Sequence, residues 1–408
     1  MRADRFGDFM KRLRFLIINE YKNCGGTENS VRKIRQILTS HGHEVFLIYM
    51  QVGQDEILSE KEYVLNPRFG IFDKLFYNPL LAHKLKQILN TISPDVILVN
   101  NVFSAPITVF SALRGYKVYQ FIRDYWPVCP KSTCILDSGK ICKGFLFENC
   151  VRECSKSVGF IPMVIKLLLI KYVHKLRLNV VSKCFPPGKL LSDYMSSFGY
   201  KSIAMNNPSQ YGECPEKIVN NAFHRYIYLG AMNDNKGIYE MMQAFEQLSL
   251  DKTNVELHMY GRISTEVDEQ KIASFTERCK NIIYHGAVAH DEVQKILRDA
   301  YALIVPSKWL EAFGNTAMEG MANRLLVLGT NRGGTLEQLL DGRGIIFDIS
   351  SSGIYEALLK AENLTTSEYE EITNRAYKYV FMNNSYEMYY SRLMAEICGE
   401  NEGFSPKS

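Results

Sequence analysis

The chain has 408 residues, 46% of them hydrophobic and 23% charged, with a formal net charge of +4. That length is more than one ordinary core organises and points to two domains. So small a net charge, with no Lys/Arg block, excludes a dedicated nucleic-acid binder.

The start, "MRADRFGDFMKRLR", is charged and leads straight into an apolar run. It lacks the pattern of a secretory leader, so synthesis and residence in the cytosol are expected. "LRFLIIN" (13–19) reads as a buried strand ended by "CGGTE", after which Val31, Ile34, Ile37 and Leu38 fall at helical spacing. Strands follow at "EVFLIYM" (44–50), "DVILVNN" (95–101) and "KVYQFIRD" (117–124), with helical segments between them. Such apolar runs, with little alternation, predict strands covered on both faces and hence a parallel sheet.

Five cysteines then fall within 26 residues: Cys129, Cys134, Cys142, Cys150 and Cys154. A reducing cytosol disfavours a disulfide framework. The spacings are not those of paired C-x2-C ligands, but four thiolates could still hold a structural Zn²⁺; reduced structural thiols and a local disulfide are the alternatives. The stretch 158–176, "VGFIPMVIKLLLIKYVHKL", is interrupted by Pro162, Lys166, Lys171 and Lys175, so it is not a membrane span. It suits a helix lying on a membrane surface, or equally a core helix with snorkelling lysines.

A second alternating series opens at "RYIYLGAM" (225–232) and runs through "VELHMYG", "IIYHG", "YALIVPS", "LLVLGT" and "GIIFDI". The fold expected is α/β: two Rossmann-like doubly wound domains facing across a cleft. Their bounds are 1–207 on the acceptor side and 208–384 on the donor side. The segment 385–408 begins with a helix that no strand follows, expected to cross back to the first domain. In open parallel sheets ligands gather beyond the carboxyl ends of the strands, so those loops hold the candidate residues.

Gly25 and Gly26 end the first strand and allow close approach to an anion at a helix start. Gly333 and Gly334 repeat the arrangement in the second half. Two such loops across a crevice suit a nucleoside diphosphate. Lys236 opens a helix where a phosphate is already attracted. Glu311 and Glu319 stand eight positions apart in "EAFGNTAME". On one continuous helix they would diverge by about 80° and ~12 Å. With Glu311 in a loop and Glu319 in the following helix, they can flank one ligand and accept bonds from vicinal hydroxyls.

The ordered set "GGTE" (25–28), "RDYWPVCP" (123–130), "NNP" (206–208), "GAMNDNKG" (230–237), "EAFGNTAME" (311–319) and "NRGGTLEQLL" (331–340) resembles the large group 1 (family 4) retaining glycosyltransferases, which have the GT-B fold. The resemblance covers about 13–395. It implies a hexosyl transfer from a UDP- or GDP-sugar to a saccharide or polyprenyl-linked oligosaccharide, with no metal essential to catalysis. A cytoplasmic protein, peripheral at the inner face of the plasma membrane, would build surface polysaccharide or glycolipid. Carried onto this chain, Glu319 holds the ribose and Glu311 the donor sugar. Lys236 neutralises the diphosphate, which Gly26 borders. Phe313, Gly314, Asn315 and Thr316 line the sugar. Two positions depart from the family pattern: Ala231 replaces a common arginine, and Arg123 replaces a common histidine. Arg123 therefore joins Lys236 and Glu311 as a candidate catalytic residue, able to pair with a phosphate or a uronic acid. With Ala231, Lys236 would be helped by Arg262, Lys308 or Arg332. A nucleotide-sugar epimerase or a phosphorylase-like enzyme of the same fold, and a catalytically degenerate partner-binding homologue, are the other readings.

Overall fold

The apolar runs 15–18 and Val96–Val99 are buried throughout, as strands covered on both faces require. The structure, a computed structural model, describes residues 12–22, 26–53, 56–66, 68–142, 147–209 and 222–399. Gly25 lies outside the described residues, as does most of the turn-rich segment between the two halves.

The first half runs β1 (Arg14–Asn19), α1 (Gly26–Ser40), β2 (Glu44–Tyr49), β3 (Glu62–Val64), α2 (Ile71–Leu75), α3 (Pro79–Ile92), β4 (Val96–Val99), α4 (Pro106–Ala112), β5 (Val118–Phe121), α5 (Phe147–Val158), α6 (Phe160–Val180), β6 (Val181–Phe185) and α7 (Lys189–Ser196). The second runs β7 (His224–Leu229), α8 (Ile238–Asp251), β8 (Val255–Tyr260), α9 (Glu266–Arg278), β9 (Ile282–Gly286), α10 (His290–Arg298), β10 (Ala302–Val305), α11 (Asn315–Ala322), β11 (Leu326–Thr330), α12 (Gly333–Leu339), β12 (Ile345–Phe347) and α13 (Ser351–Glu362). Two helices close the chain, α14 (Thr366–Asn384) and α15 (Tyr386–Cys398).

Each half contains a six-stranded sheet, ordered β3-β2-β1-β4-β5-β6 in one and β12-β11-β10-β7-β8-β9 in the other. Every pairing is parallel. The two orders are one doubly wound topology used twice. Its switch points fall between β1 and β4 and between β7 and β10, where connections leave toward opposite faces and open a crevice. Apolar clusters cover both faces of each sheet.

Strands β3 and β6 have no counterpart in the sequence reading. β3 is only three residues, Glu-Tyr-Val. β6 follows α6 with no intervening turn residue. Helix α6 also runs four residues past the segment read as helical, starting after Gly159 at φ 89°. It presents two apolar faces. Met163, Leu167, Ile170 and Val173 are buried, while Ile161, Ile165, Leu168 and Tyr172 are exposed. The exposed four recur at i, i+4, i+7 and i+11, one stripe of a 3.6-residue helix.

Helix α15 packs on the first sheet, with Tyr389, Leu393 and Ile397 in that half's core. Lys117 Nζ donates to the Ile397 carbonyl at 2.5 Å, and His43 Nε2 lies 2.8 Å from the Tyr390 hydroxyl. The two chain crossings also bind one another: Ser209 N–H donates to the Asn384 carbonyl, and Asn384 Nδ2 to the Asn207 carbonyl.

Candidate active site

A cavity of about 660 Å³ lies between the halves, walled by Arg123, Asp124 and Lys131 on one side and by Lys236, Glu311 and Thr316 on the other. The second wall is built by the loops leaving β7 and β10, the two strands at the switch point. After β7, Asn233 caps a single 3₁₀ turn, Asp234–Lys236, its side chain accepting from Lys236 N–H at 3.2 Å. After β10, Lys308 N–H donates to the Asn235 carbonyl at 3.0 Å and locks the loops together.

This brings Lys236 and Glu311 into direct contact. Lys236 Nζ lies 2.6 Å from Glu311 Oε1, and Ser307 Oγ donates to the same oxygen at 2.6 Å. The ammonium also sits 4.9 Å from the centre of the Trp309 ring, a cation–π distance. Burial by itself would push the Glu311 carboxyl upward. The adjacent Lys236 charge and the hydrogen bonds outweigh it and hold the group below the usual carboxylate range. The carboxylate is therefore ionised, a hydrogen-bond acceptor only.

Gly314, at φ 80° and ψ 56°, turns the chain from this loop into α11. No side chain caps that helix, and Gly314, Asn315 and Thr316 all border the cavity. The unpaired first-turn N–H groups and the positive end of the dipole thus face it. Phe313 takes part differently, with its ring in the core of the second half and its carbonyl accepting from Gln338 Nε2. Glu319 stands one turn along α11 on the face that carries Asn315 and Thr316. It is half-buried, and its charge partly offsets the burial that lowers the pKa of Lys33 on α1, across the interface. The two glutamates occupy separate elements, as their spacing requires.

Gly333 and Gly334 have a different job from the phosphate contact expected. A Cβ on Gly333 would stand 2.7 Å from Glu311 N, and one on Gly334 2.3 Å from Phe313 Cα. Gly334 N–H donates to the Glu311 carbonyl at 2.7 Å, so it is not open to an anion. Neither glycine borders the cavity. The pair exists so that α12 can lie against the Glu311 loop. Gly26 opens α1, whose Ser30 reaches the cavity wall.

Arg123 borders the cavity. Its Nε donates to Asn100 Oδ1 at 2.9 Å and its Nη1 to Asn207 Oδ1 at 2.5 Å. Asn100 Nδ2 donates to Asn19 Oδ1, and Asn207 Nδ2 to Asn315 Oδ1 at 2.8 Å. A polar chain therefore runs from the ends of β1 and β4, through Arg123, to the first residue of α11. The Asn207–Asn315 bond carries this chain from the first half to the second along the cavity wall. Beside it, burial raises the Asp124 carboxyl above its usual range. Of the cations expected to assist Lys236, Lys308 pairs instead with Asp234 at 2.6 Å and Glu240 at 2.7 Å. Arg332 Nη1 donates to the Lys308 carbonyl.

Glu337 was not singled out from sequence for the role it has. Its oxygens accept from the N–H groups of Lys189 and Leu190 at 2.6 and 3.0 Å, capping α7 from the other half. The signal available was Gly188 before a helix with no capping side chain of its own.

The four-thiolate metal site is not assembled. Among the described residues no three His, Cys, Asp or Glu side chains come together to hold a metal ion. Cys150 and Cys154 lie on α5 in an apolar cluster with Met163 and Leu167, whereas Cys134 packs against Tyr125 and Leu191. Cys134 Sγ lies 3.3 Å from the Tyr194 hydroxyl. Cys129 is held near pKa 6, first by its hydrogen bond from Cys134 and then by backbone N–H donors.

Residues 217–379 match the sequence model of the family described as Glycosyl transferases group 1. The lipopolysaccharide 1,2-N-acetylglucosaminetransferase of Salmonella typhimurium is 30% identical over 171 residues, which is 40% of this chain and 44% of that protein. An uncharacterised glycosyltransferase of Methanocaldococcus jannaschii is 32% identical over 120 residues, 28% of this chain and 31% of that one. The chain thus spans less than half the length of these curated relatives. Whole-chain likeness is found in solved structures. A glycosyltransferase from Rickettsia africae superposes with a TM-score of 0.70 at 16% identity, covering 97% of this chain and 100% of that one. The Anabaena protein Alr3699/HepE, solved with UDP and glucose, gives 0.69 at 14%, covering 95% and 100%. The fold is the two-domain GT-B fold.

Proposed function

We propose that this chain is a retaining glycosyltransferase that takes a hexose from a UDP- or GDP-sugar and passes it to a saccharide or lipid-linked saccharide. The observation that carries this reading is the Lys236–Glu311 pair in the cavity wall, beside the uncapped N-terminus of α11. Lys236 and the α11 amides are placed to receive a diphosphate, where charge builds up as it departs. The ionised Glu311 accepts bonds from sugar hydroxyls, and Glu319, one turn deeper, from those of the ribose.

In the reaction the bond between the sugar C1 and the diphosphate oxygen breaks, and the nucleoside diphosphate leaves with the electron pair. The acceptor hydroxyl oxygen bonds to C1 on the same face, and its proton passes to the leaving diphosphate. The protein supplies position and fixed charge, so neither a protein nucleophile nor a metal is required. Such an enzyme would work in the cytoplasm, against the inner face of the plasma membrane, on surface polysaccharide or glycolipid.

Glu319→Ala should collapse turnover of a nucleotide sugar while the fold is kept, and NMR of the product should show the donor's anomeric configuration. Near-normal turnover in that variant, or an inverted product, overturns the assignment. A thermal-shift screen against nucleoside diphosphates identifies the base, since a ligand selective for the native state raises its stability.

A further inference from the structure

A second cavity, about 460 Å³, opens in the first half and shares Lys131 and Ser132 with the wall of the first. Three separate elements each send one lysine to it: Lys74 from α2, Lys131 from the loop after β5, and Lys166 from α6. No carboxylate is among its lining residues. Lys131 is balanced by Asp137 at 2.7 Å. Lys74 and Lys166 form no ion pair among the described residues, so the cavity keeps an excess of positive charge. Its remaining surface is largely apolar, with Trp126, Val158, Leu169 and Ile170 contributing. Trp126 is held from behind by Arg177, whose guanidinium lies 4.8 Å from the ring centre.

The geometry points to a subsite for the phosphate or diphosphate of the acceptor, placed so that a sugar attached to it reaches into the first cavity. This rests on the transferase reading. Convergent ammoniums over an apolar floor fit a phosphorylated group with a carbon chain or ring beside it. The surroundings favour a prenyl chain as that neighbour. Both helices that supply an unpaired lysine also expose large apolar side chains, Phe72 and Ile71 on α2 and Ile161, Ile165 and Leu168 on α6. Helix α4 packs against both, which puts them on one side of the domain. Two helices that line the cavity therefore carry exposed apolar side chains that a bilayer surface would cover.

The chain has two tryptophans, Trp126 in the second cavity and Trp309 in the first, so each site can report separately. The full chain carrying Trp309→Phe is titrated with farnesyl diphosphate, inorganic diphosphate and glucose 1-phosphate while Trp126 emission is followed. A saturable change is expected, weakened about tenfold or more by Lys74→Gln with Lys166→Gln. Tighter binding of farnesyl diphosphate than of inorganic diphosphate assigns a lipid-linked acceptor; equal binding of both assigns a water-soluble phosphorylated one. No saturable response to any of the three, or an unchanged response in the double variant, overturns the subsite. In parallel, Trp126→Phe leaves Trp309 to report UDP and GDP. Absence of a Trp309 response to both nucleotides sinks the transferase reading, and absence of the Trp126 response alone sinks only the subsite.

Discussion

Lys236→Ala is the most informative perturbation of the candidate site, because Glu311 is then left buried with its charge uncompensated. The two side chains are 24% and 15% exposed at an N–O separation of 2.6 Å. Breaking a fully buried pair costs about 3–5 kcal/mol. Residual exposure and the retained Ser307 bond place this one at about 2–3 kcal/mol. For a domain of this size that lowers Tm by about 4–12 °C. The double variant Lys236→Met with Glu311→Gln removes both charges and should lie within about 1 kcal/mol of the parent. Nucleotide-sugar turnover should be lost in both. The pH dependence provides an independent reading. In the parent, Glu311 has a depressed pKa. Its contribution is complete above the ordinary carboxylate range and disappears as pH falls through the depressed value. Without Lys236, burial becomes the dominant influence and raises the carboxyl, so acidification protonates it and relieves the variant. The stability gap should narrow between neutral and mildly acidic pH in urea unfolding followed by Trp309 emission. A double variant as unstable as Lys236→Ala, or a gap independent of pH, would refute the electrostatic account.

Gly334→Ala should cut turnover by about tenfold or more with the circular dichroism unchanged, because the new Cβ, 2.3 Å from Phe313 Cα, forces the Glu311 loop away from α12. Unaltered kinetics there would mean the loop position is not critical. Glu337→Ala removes the cap on α7 and should cost about 1–2 kcal/mol. Hydrogen exchange should rise in Lys189–Ser196 and leave β7–β9 unaffected; uniform exchange across the chain would contradict this. Alkylation of Cys129 by iodoacetamide should titrate with a midpoint of about 6, and Cys134→Ala should raise it, since the Cys134 hydrogen bond is the largest influence. A midpoint near that of an ordinary thiol would remove the thiolate from this loop.

How much was legible varied element by element. The strands on either side of the switch points, β1, β4, β7 and β10, are read directly from their apolar runs, because burial on both faces leaves no alternation to confuse them. β3 and β6 escaped, one for its length and the other because it joins α6 without punctuation. In the site, the placement of Glu311 in a loop and Glu319 on a helix followed from helical geometry. The direct pairing of Glu311 with Lys236 did not, since their loops are 75 residues apart and meet only across adjacent parallel strands.

The sequence alone determined that there are two parallel α/β layers, and which strand-end loops carry the chemistry. Periodicity and burial are local properties of a chain, and a carboxyl-end loop is polar whatever faces it. Tertiary structure decided what each polar group meets. It set Gly333 and Gly334 against the Glu311 loop, fastened Arg123 to Asn100 and Asn207, and kept the cysteines of α5 apart from those in the loop before it. Partner identity depends on distances between segments far apart in the chain, and those are fixed by the packing of the sheets rather than by any local pattern.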